Sequence, residues 1–317
     1  MTNKFCDKHL RSSDITPENI YRSRRTWMKS LAVGALGLPT MGIAHLPDPN
    51  KKMRIPFAKD KKIFTSGVDT TPYEDVTRYN NFYEFGMDKE DPFKHAHQLK
   101  TEDWKVKIGG EVLKPRVFDM DQLMKVAPLE ERVYRLRCVE AWSMVIPWIG
   151  FPLSKLLDAV QPTGNAKYVE FLSLYDPDQM PGQKSKLIDW PYAEGLRIDE
   201  AMNPLTLLTV GLYGEILPNQ NGAPVRVVVP WKYGFKSAKS IVAINLREKQ
   251  PKTSWNNINP SEYGFYSNVN PSVSHPRWSQ SKERVLGEFF KTDTKMFNGY
   301  GDWVSDLYRG MDLSKHF

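Results

Sequence analysis

Cysteine is the scarcest chemistry in this chain. Its 317 residues hold two, Cys6 and Cys138. Two thiols cannot build a disulfide framework, a four-cysteine zinc site or an iron–sulfur cluster. No Cys-x-x-Cys-His segment is present to attach a haem. The six histidines show no zinc-finger-like spacing with Cys138, and His95 and His97 are read as polar loop residues. Charge of one sign is also missing, with 44 Lys and Arg against 37 Asp and Glu. No basic run is interleaved with aromatics, so nucleic-acid binding is not expected. No apolar stretch approaches the about 20 residues that span a bilayer. No internal repeat or low-complexity linker divides the chain.

What is present begins at the N-terminus. Ser23-Arg24-Arg25-Thr26-Trp27-Met28-Lys29 precedes an uncharged stretch, Ser30 to Ala44, that ends in the small residues Gly42-Ile43-Ala44. Basic, modestly apolar and small-residue regions in that order predict a twin-arginine signal over residues 1–44. A single domain then occupies 45–317, and the expected location is the periplasm, reached through the twin-arginine translocase. Cleavage would remove seven Lys or Arg and three Asp or Glu, leaving 37 against 34. It would also remove Cys6, so one thiol would face an oxidising compartment, where an unpaired cysteine is tolerated if buried or in use. Twin-arginine export carries folded proteins, and a common reason to fold first is a cofactor inserted before export.

About 270 residues suffice for one large domain. Residues 45–78 are polar and proline-punctuated, which predicts an extended surface segment. Trp104 to Val112 gives a hairpin signal around Gly109-Gly110, and Asp119 to Val126 suits a short capped helix. Arg132 to Cys138 alternates, placing Cys138 at a strand end with Tyr134 and Leu136 on its face and Arg135 and Arg137 on the other. Phe151-Pro152-Leu153 opens a helix through about Val160. Strands are expected at Lys167–Tyr175, Thr206–Tyr213, Pro224–Val229 and Ser240–Arg247, and an ordered wrap after Gln250. Strands broken by isolated helices, without regular alternation, indicate an α+β class with mixed β-sheets and a few helices.

Cys138 lies between Arg137 and Glu140, with Arg135 nearby. Cationic neighbours would lower its pKa and favour the thiolate, a soft ligand for a redox metal. An inert buried cysteine is the ordinary alternative. Asn221-Gly222-Ala223-Pro224-Val225-Arg226 leads from a turn into a strand and offers an amide and a guanidinium to an anion or heterocycle. Trp231-Lys232-Tyr233-Gly234-Phe235-Lys236-Ser237-Ala238-Lys239 joins glycine, serine and three lysines in the manner of a phosphate cradle, though solvated basic loops share that composition. Tyr79-Asn80-Asn81-Phe82-Tyr83-Glu84-Phe85-Gly86 is read either as a packed aromatic turn or as a reader of a flat, hydrogen-bonding ring system.

Those segments, with Arg137-Cys138-Val139-Glu140-Ala141-Trp142-Ser143, Pro181-Gly182-Gln183 and Asn270-Pro271 through His275-Pro276-Arg277-Trp278, resemble the sulfite-oxidase-like molybdenum cofactor proteins. Within that family the likeness is to the bacterial periplasmic enzymes that reduce methionine sulfoxide in proteins, and it covers nearly the whole chain after the signal. It implies a sulfite-oxidase-like molybdopterin-binding fold and one molybdenum-molybdopterin cofactor per chain, with Cys138 supplying a thiolate to the metal. Carried over by position, Asn80, Tyr83, Glu84, Ser173, Asn221, Arg226, Ser237, Ala238 and Lys239 would contact the cofactor. The family leads one to expect threonine where Ser173 stands, and a longer loop than Gln183 to Trp190. Glu140 and Asn81 are candidates for proton handling or substrate orientation beside the metal.

The resemblance implies reduction of methionine sulfoxide in oxidised periplasmic proteins, with electrons from a haem-containing inner-membrane subunit fed by quinone. Cys138 would tune the metal and not become sulfenic acid. Competing readings are another oxidoreductase of the same fold acting on sulfite or small S- or N-oxides, a metal-free cysteine enzyme, and a periplasmic binding or chaperone protein.

Overall fold

The computed structural model describes residue 55, residues 57–59 and residues 69–317. The expected signal over 1–44, with Cys6, Arg24 and Arg25, and the expected start at His45 lie outside the described residues. From Asn50 to Phe317 the chain forms one contact unit.

Its longest described strand was not foreseen. Trp142 to Pro152 carries apolar side chains on both faces and is interrupted by Pro147 and Gly150, so it shows no period-two alternation despite its β-branched and aromatic residues. It is nevertheless the hub of the larger of two mixed sheets. With strands numbered along the chain, that sheet contains β1 (Ala58–Lys59), β4 (Glu130–Arg137), β5 (Trp142–Pro152), β8 (Leu207–Leu212), β9 (Glu215–Ile216), β10 (Arg226–Val228), β12 (Lys282–Val285) and β13 (Thr292–Asp293). β5 pairs antiparallel with β4 and β8, and parallel with β12. Where β8 crosses it, a Cβ at Gly150 would stand 2.1 Å from the Leu208 carbonyl oxygen, so only glycine admits the neighbouring backbone.

The second sheet has the order β3-β2-β11-β6-β7, from β2 (Lys105–Gly110), β3 (Arg116–Asp119), β6 (Tyr168–Ser173), β7 (Ala193–Arg197) and β11 (Ile241–Arg247). The hairpin expected at Gly109-Gly110 turns later, because those glycines close β2 and β3 begins at Arg116. Strands β6, β8, β10 and β11 fall where sequence placed them. β7, β12 and the two-residue strands had no readable pattern.

Helices are short. Leu153–Val160 buries Leu153, Leu156, Leu157 and Val160, one stripe of a 3.6-residue period. Each leucine so buried contributes about 1.5–3 kcal/mol. Met120–Met124 begins at a capping box formed by Asp119 and Gln122. The extended segment expected up to Arg78 is corrected at its end. Tyr73–Arg78 is helical and buries Val76 and Thr77, with Glu74 and Asp75 in its first turn and Arg78 in its last, the arrangement that suits the helix dipole. Asp91–His95 is also helical and Ala96–Gln98 follows as a 3-10 turn, so neither His95 nor His97 lies in a loop. Among the described residues no helix is long and apolar enough to cross a membrane.

The segment after Gln250 packs back as an ordered wrap, and Arg137 is its anchor. This guanidinium is completely buried. Its Nε donates to Glu283 Oε2 at 2.9 Å and its Nη2 to Gln280 Oε1 at 2.8 Å and Thr294 Oγ1 at 3.2 Å. Removing one partner from such a pair strands the other charge. Arg137→Met should therefore lower the unfolding free energy by about 3–5 kcal/mol, measured by urea denaturation. A loss below about 1 kcal/mol would mean that Glu283 is not held by this pair.

Candidate active site

The turn from Cys138 to Ala141 joins β4 to β5 and sets the site. Cys138 N–H donates to the Trp142 carbonyl at 2.9 Å, and Ala141 N–H to the Cys138 carbonyl at 3.1 Å. Ala141 takes a positive φ of 65°. The wrap fastens this turn from outside, since Trp278 Nε1 and Gln280 Nε2 both donate to the Val139 carbonyl, at 2.8 and 2.7 Å. Trp278 is itself held by stacking on His275, with centroids 3.8 Å apart.

Cys138 is buried. Its Sγ accepts from Asn81 Nδ2 at 3.4 Å and from the Glu140 N–H at 3.4 Å. The expectation of a thiol made acidic by Arg135 and Arg137 is overturned. Burial pushes Cys138 up to about 12 and the Glu140 carboxylate adds to this, while Lys89, the Glu140 N–H and Arg137 act the other way without offsetting it. Arg137 spends its charge on Glu283. Without a metal the group is a thiol, and a soft cation must displace its proton to make it a ligand.

Glu140 differs. Burial alone would raise its pKa, but Lys89 holds it below the usual carboxylate range, helped by hydrogen bonds from Asn81 and Trp142. Lys89 Nζ lies 2.8 Å from Oε2, Asn81 Nδ2 donates to Oε2 at 3.0 Å, and Trp142 Nε1 donates to it at 2.9 Å. Lys89 was missed in the sequence. It lies 51 residues from Glu140 inside an ordinary charged run, and no local pattern marks it.

Asn80, the neighbour of Asn81, faces a second group. Asn221 Nδ2 donates to Asn80 Oδ1 at 3.1 Å and to the Val76 carbonyl at 2.9 Å. This leaves Asn80 Nδ2 and Asn221 Oδ1 buried without a protein partner. Arg226, on β10, donates through Nη1 to the Asn221 carbonyl at 2.9 Å and through Nη2 to the Ser237 carbonyl at 3.4 Å, and lies over the Trp148 ring. Ser173 Oγ donates to the Lys239 carbonyl at 2.7 Å, Ser237 Oγ accepts from Val229 N–H, and the Ala238 carbonyl accepts from Val227 N–H. Lys239 Nζ lies 5.0 Å from the Phe82 ring centroid and is influenced by Arg226, Glu84 and Cys138. Glu84 is pushed up to about 7 by burial, against the pull of Lys239. Tyr83 packs edge-on against Trp255 at 5.3 Å. Gly182 N–H donates to the Glu84 carbonyl, and a Cβ at Gly182 would stand 2.1 Å from the Tyr83 carbonyl oxygen, so Pro181-Gly182-Gln183 backs this turn closely.

All the candidate residues therefore gather around one region, with Asn80-Asn81 bridging a thiol end and a cationic end. The cationic end has an anion-site signature. Lys232, Lys236 and Arg137 are buried with a carboxylate at 2.6, 2.6 and 2.9 Å. Arg226 and Lys239 have no such ion pair among the described residues, and two buried amide atoms beside them lack partners. Burial alone is enough to bring Arg226 down to about 9. Such a set fits a polar ring system with an anionic tail. Among the described residues no three His, Cys, Asp and Glu side chains gather as a metal site.

Comparison with known proteins follows the same line. Residues 93–255 match the family model of the oxidoreductase molybdopterin binding domain. The protein-methionine-sulfoxide reductase catalytic subunit MsrP of Burkholderia mallei is 58% identical over 96% of this chain and 95% of its own. Those of Ralstonia nicotianae and Xanthomonas axonopodis pv. citri are 55% and 56% identical, covering 96% and 98% of this chain and the same shares of their own. A solved structure, the sulfane dehydrogenase SoxCD from Paracoccus pantotrophus, is similar at a TM-score of 0.44 and 16% identity, over 76% of this chain and 61% of that one.

The cationic end carries a pH prediction. Burial, with Arg226 beside it, brings Lys239 down to about 8. A bound anion raises that pKa, so above this pH binding takes up a proton. Anion retention should hold below about pH 8 and fall as the pH rises through it. Pterin content after dialysis on either side of that pH measures it, and Lys239→Met should flatten the dependence. Wild-type retention that does not vary across the window would remove Lys239 from the anion site.

Proposed function

Because this chain belongs to the family of protein-methionine-sulfoxide reductase catalytic subunits built on the oxidoreductase molybdopterin binding domain, we propose that it reduces methionine sulfoxide in oxidised periplasmic proteins, with Cys138 ligating molybdenum. The α+β architecture is the sulfite-oxidase-like molybdopterin-binding fold, and the cofactor is molybdenum-molybdopterin. The observation that carries the reading is the convergence of one buried thiol with two cations, buried Arg226 and half-buried Lys239, that form no close ion pair among the described residues.

When bound, the molybdenum–pterin group supplies oxygen-atom transfer, by which a sulfoxide, two electrons and two protons give a thioether and water. The chain's residues hold and orient. Arg226 and Lys239 would hold the anionic tail, and Asn80 Nδ2 and Asn221 Oδ1, buried without a protein partner, would be free to hydrogen-bond the pterin. Cys138 Sγ is fixed by the β4–β5 turn and by Asn81. Glu140, ionised at neutral pH, keeps an acceptor beside the sulfur and aligns the Asn81 amide, while Lys89 keeps it in that state. Electrons come from a haem-containing, quinone-linked membrane subunit. Export by the twin-arginine translocase would deliver the folded, loaded enzyme to the periplasm.

Cys138→Ser tests the ligand. Serine is nearly isosteric but a harder and less acidic donor. The variant should keep its circular dichroism spectrum and some pterin, while losing the wild-type metal spectrum and nearly all turnover. Near-normal activity with an unchanged metal spectrum would exclude Cys138 as the ligand. In wild type, molybdenum should be stoichiometric and protein-bound methionine sulfoxide should outrun dimethyl sulfoxide and sulfite. Faster turnover of sulfite would point to a different oxidoreductase of this fold.

Export has its own test. Arg24→Lys with Arg25→Lys should leave a folded, cofactor-loaded precursor in the cytoplasm. Normal periplasmic amounts of this variant in cell fractionation would contradict the signal assignment.

A further inference from the structure

The two most exposed large apolar side chains among the described residues are adjacent in sequence. Phe289 and Phe290 are 74% and 80% exposed and meet each other edge-on at 4.9 Å. They stand on the turn between β12 and β13. This tip is built to present them. Glu288 N–H donates to the Val285 carbonyl at 3.0 Å, and Arg284 Nη1 donates to the Phe289 carbonyl at 2.8 Å, drawing the strand across the turn. Gly287 has a positive φ of 95°, and a Cβ there would meet nothing within 4 Å, so the tip is convex and open on that side. Its base is rigid, because β12 pairs with the start of β5 at Arg284↔Trp142 and Val285↔Ser143, directly after the Cys138 turn.

The surroundings are basic. Lys282, Arg284, Lys291 and Lys295 are exposed around the tip, against exposed Glu288 and Asp293, and Asp293 lies 3.7 Å from Lys282. A protruding aromatic pair needs no shaped pocket in a lipid interface, whereas a protein partner would need a complementary cleft. Basic residues flanking inserted aromatics add attraction to anionic headgroups.

We propose that the Phe289-Phe290 tip, with Lys282, Arg284, Lys291 and Lys295, is a peripheral docking element for an anionic lipid surface. It would hold the Cys138 turn at a fixed orientation to a membrane. The inference goes beyond the sulfoxide chemistry and rests on the surface alone, so the two fail independently.

Sedimentation of the purified holoenzyme with vesicles of equimolar phosphatidylethanolamine and phosphatidylglycerol tests it. Wild type should co-sediment, less so as salt rises, and not with phosphatidylcholine alone. Phe289→Ser with Phe290→Ser should lower partitioning roughly tenfold or more, while sulfoxide reduction with a soluble dye as donor stays unchanged, which also shows that the variant is folded and loaded. Phe290→Trp should shift its fluorescence to the blue on the anionic vesicles. Absence of wild-type binding, or equal binding by the double variant, would overturn the proposal. So would a double variant that loses turnover only with a membrane-protein donor while wild type ignores protein-free vesicles, since the tip would then dock on protein.

Discussion

The buried Arg137 guanidinium is the interaction on which the site depends. It ends β4 and reaches Glu283, Gln280 and Thr294, which belong to the C-terminal wrap. It thereby clamps that wrap onto the turn that carries Cys138. Trp278 and Gln280 then find the Val139 carbonyl, and β12 finds β5. A paired charge out of water is weak evidence for stability, but it tolerates few alternative arrangements. Here it fixes where a thiol sits relative to two sheets.

The same chain treats its buried and half-buried cations in two ways. Arg137, Lys232 and Lys236 are neutralised by their own carboxylates. Arg226 and Lys239 form no close ion pair among the described residues and lie against carbonyls and aromatic faces, with Glu84 the carboxylate that acts on Lys239. Arg226 is buried with no carboxylate acting on it, which costs free energy unless something compensates the charge. A ligand that brings negative charge resolves the imbalance. At the thiol end the logic is reversed, because burial and the Glu140 carboxylate hold the proton on Cys138, and Lys89 stabilises the nearby Glu140 anion.

Much of this was legible in the residues. The runs Lys167–Tyr175 and Ser240–Arg247 were expected as the strands that are β6 and β11, Phe151-Pro152-Leu153 marked the opening of a helix, and a short capped helix was expected from Asp119. Asn221 and Arg226 stood out by their turn chemistry. β5 did not, because a strand buried on both faces loses the alternation that identifies strands, and Pro147 and Gly150 argue against one. Nor did Lys89, whose partner is distant in the chain.

By itself the sequence determined which chemistries are absent, which residue carries the only sulfur of interest after the expected cleavage, and the local propensities that make an α+β protein. Local neighbourhood misled where charge was concerned. Arg135 and Arg137 flank Cys138 in sequence, yet the thiol's acidity is set by burial and by Glu140, and Arg137 is committed to Glu283. Only the tertiary structure decided which cations were paired and which were left free for an anion. Electrostatic pairing depends on distance and solvent in three dimensions, and the partners that decide it here, Glu283 for Arg137 and Lys89 for Glu140, come from remote parts of the chain.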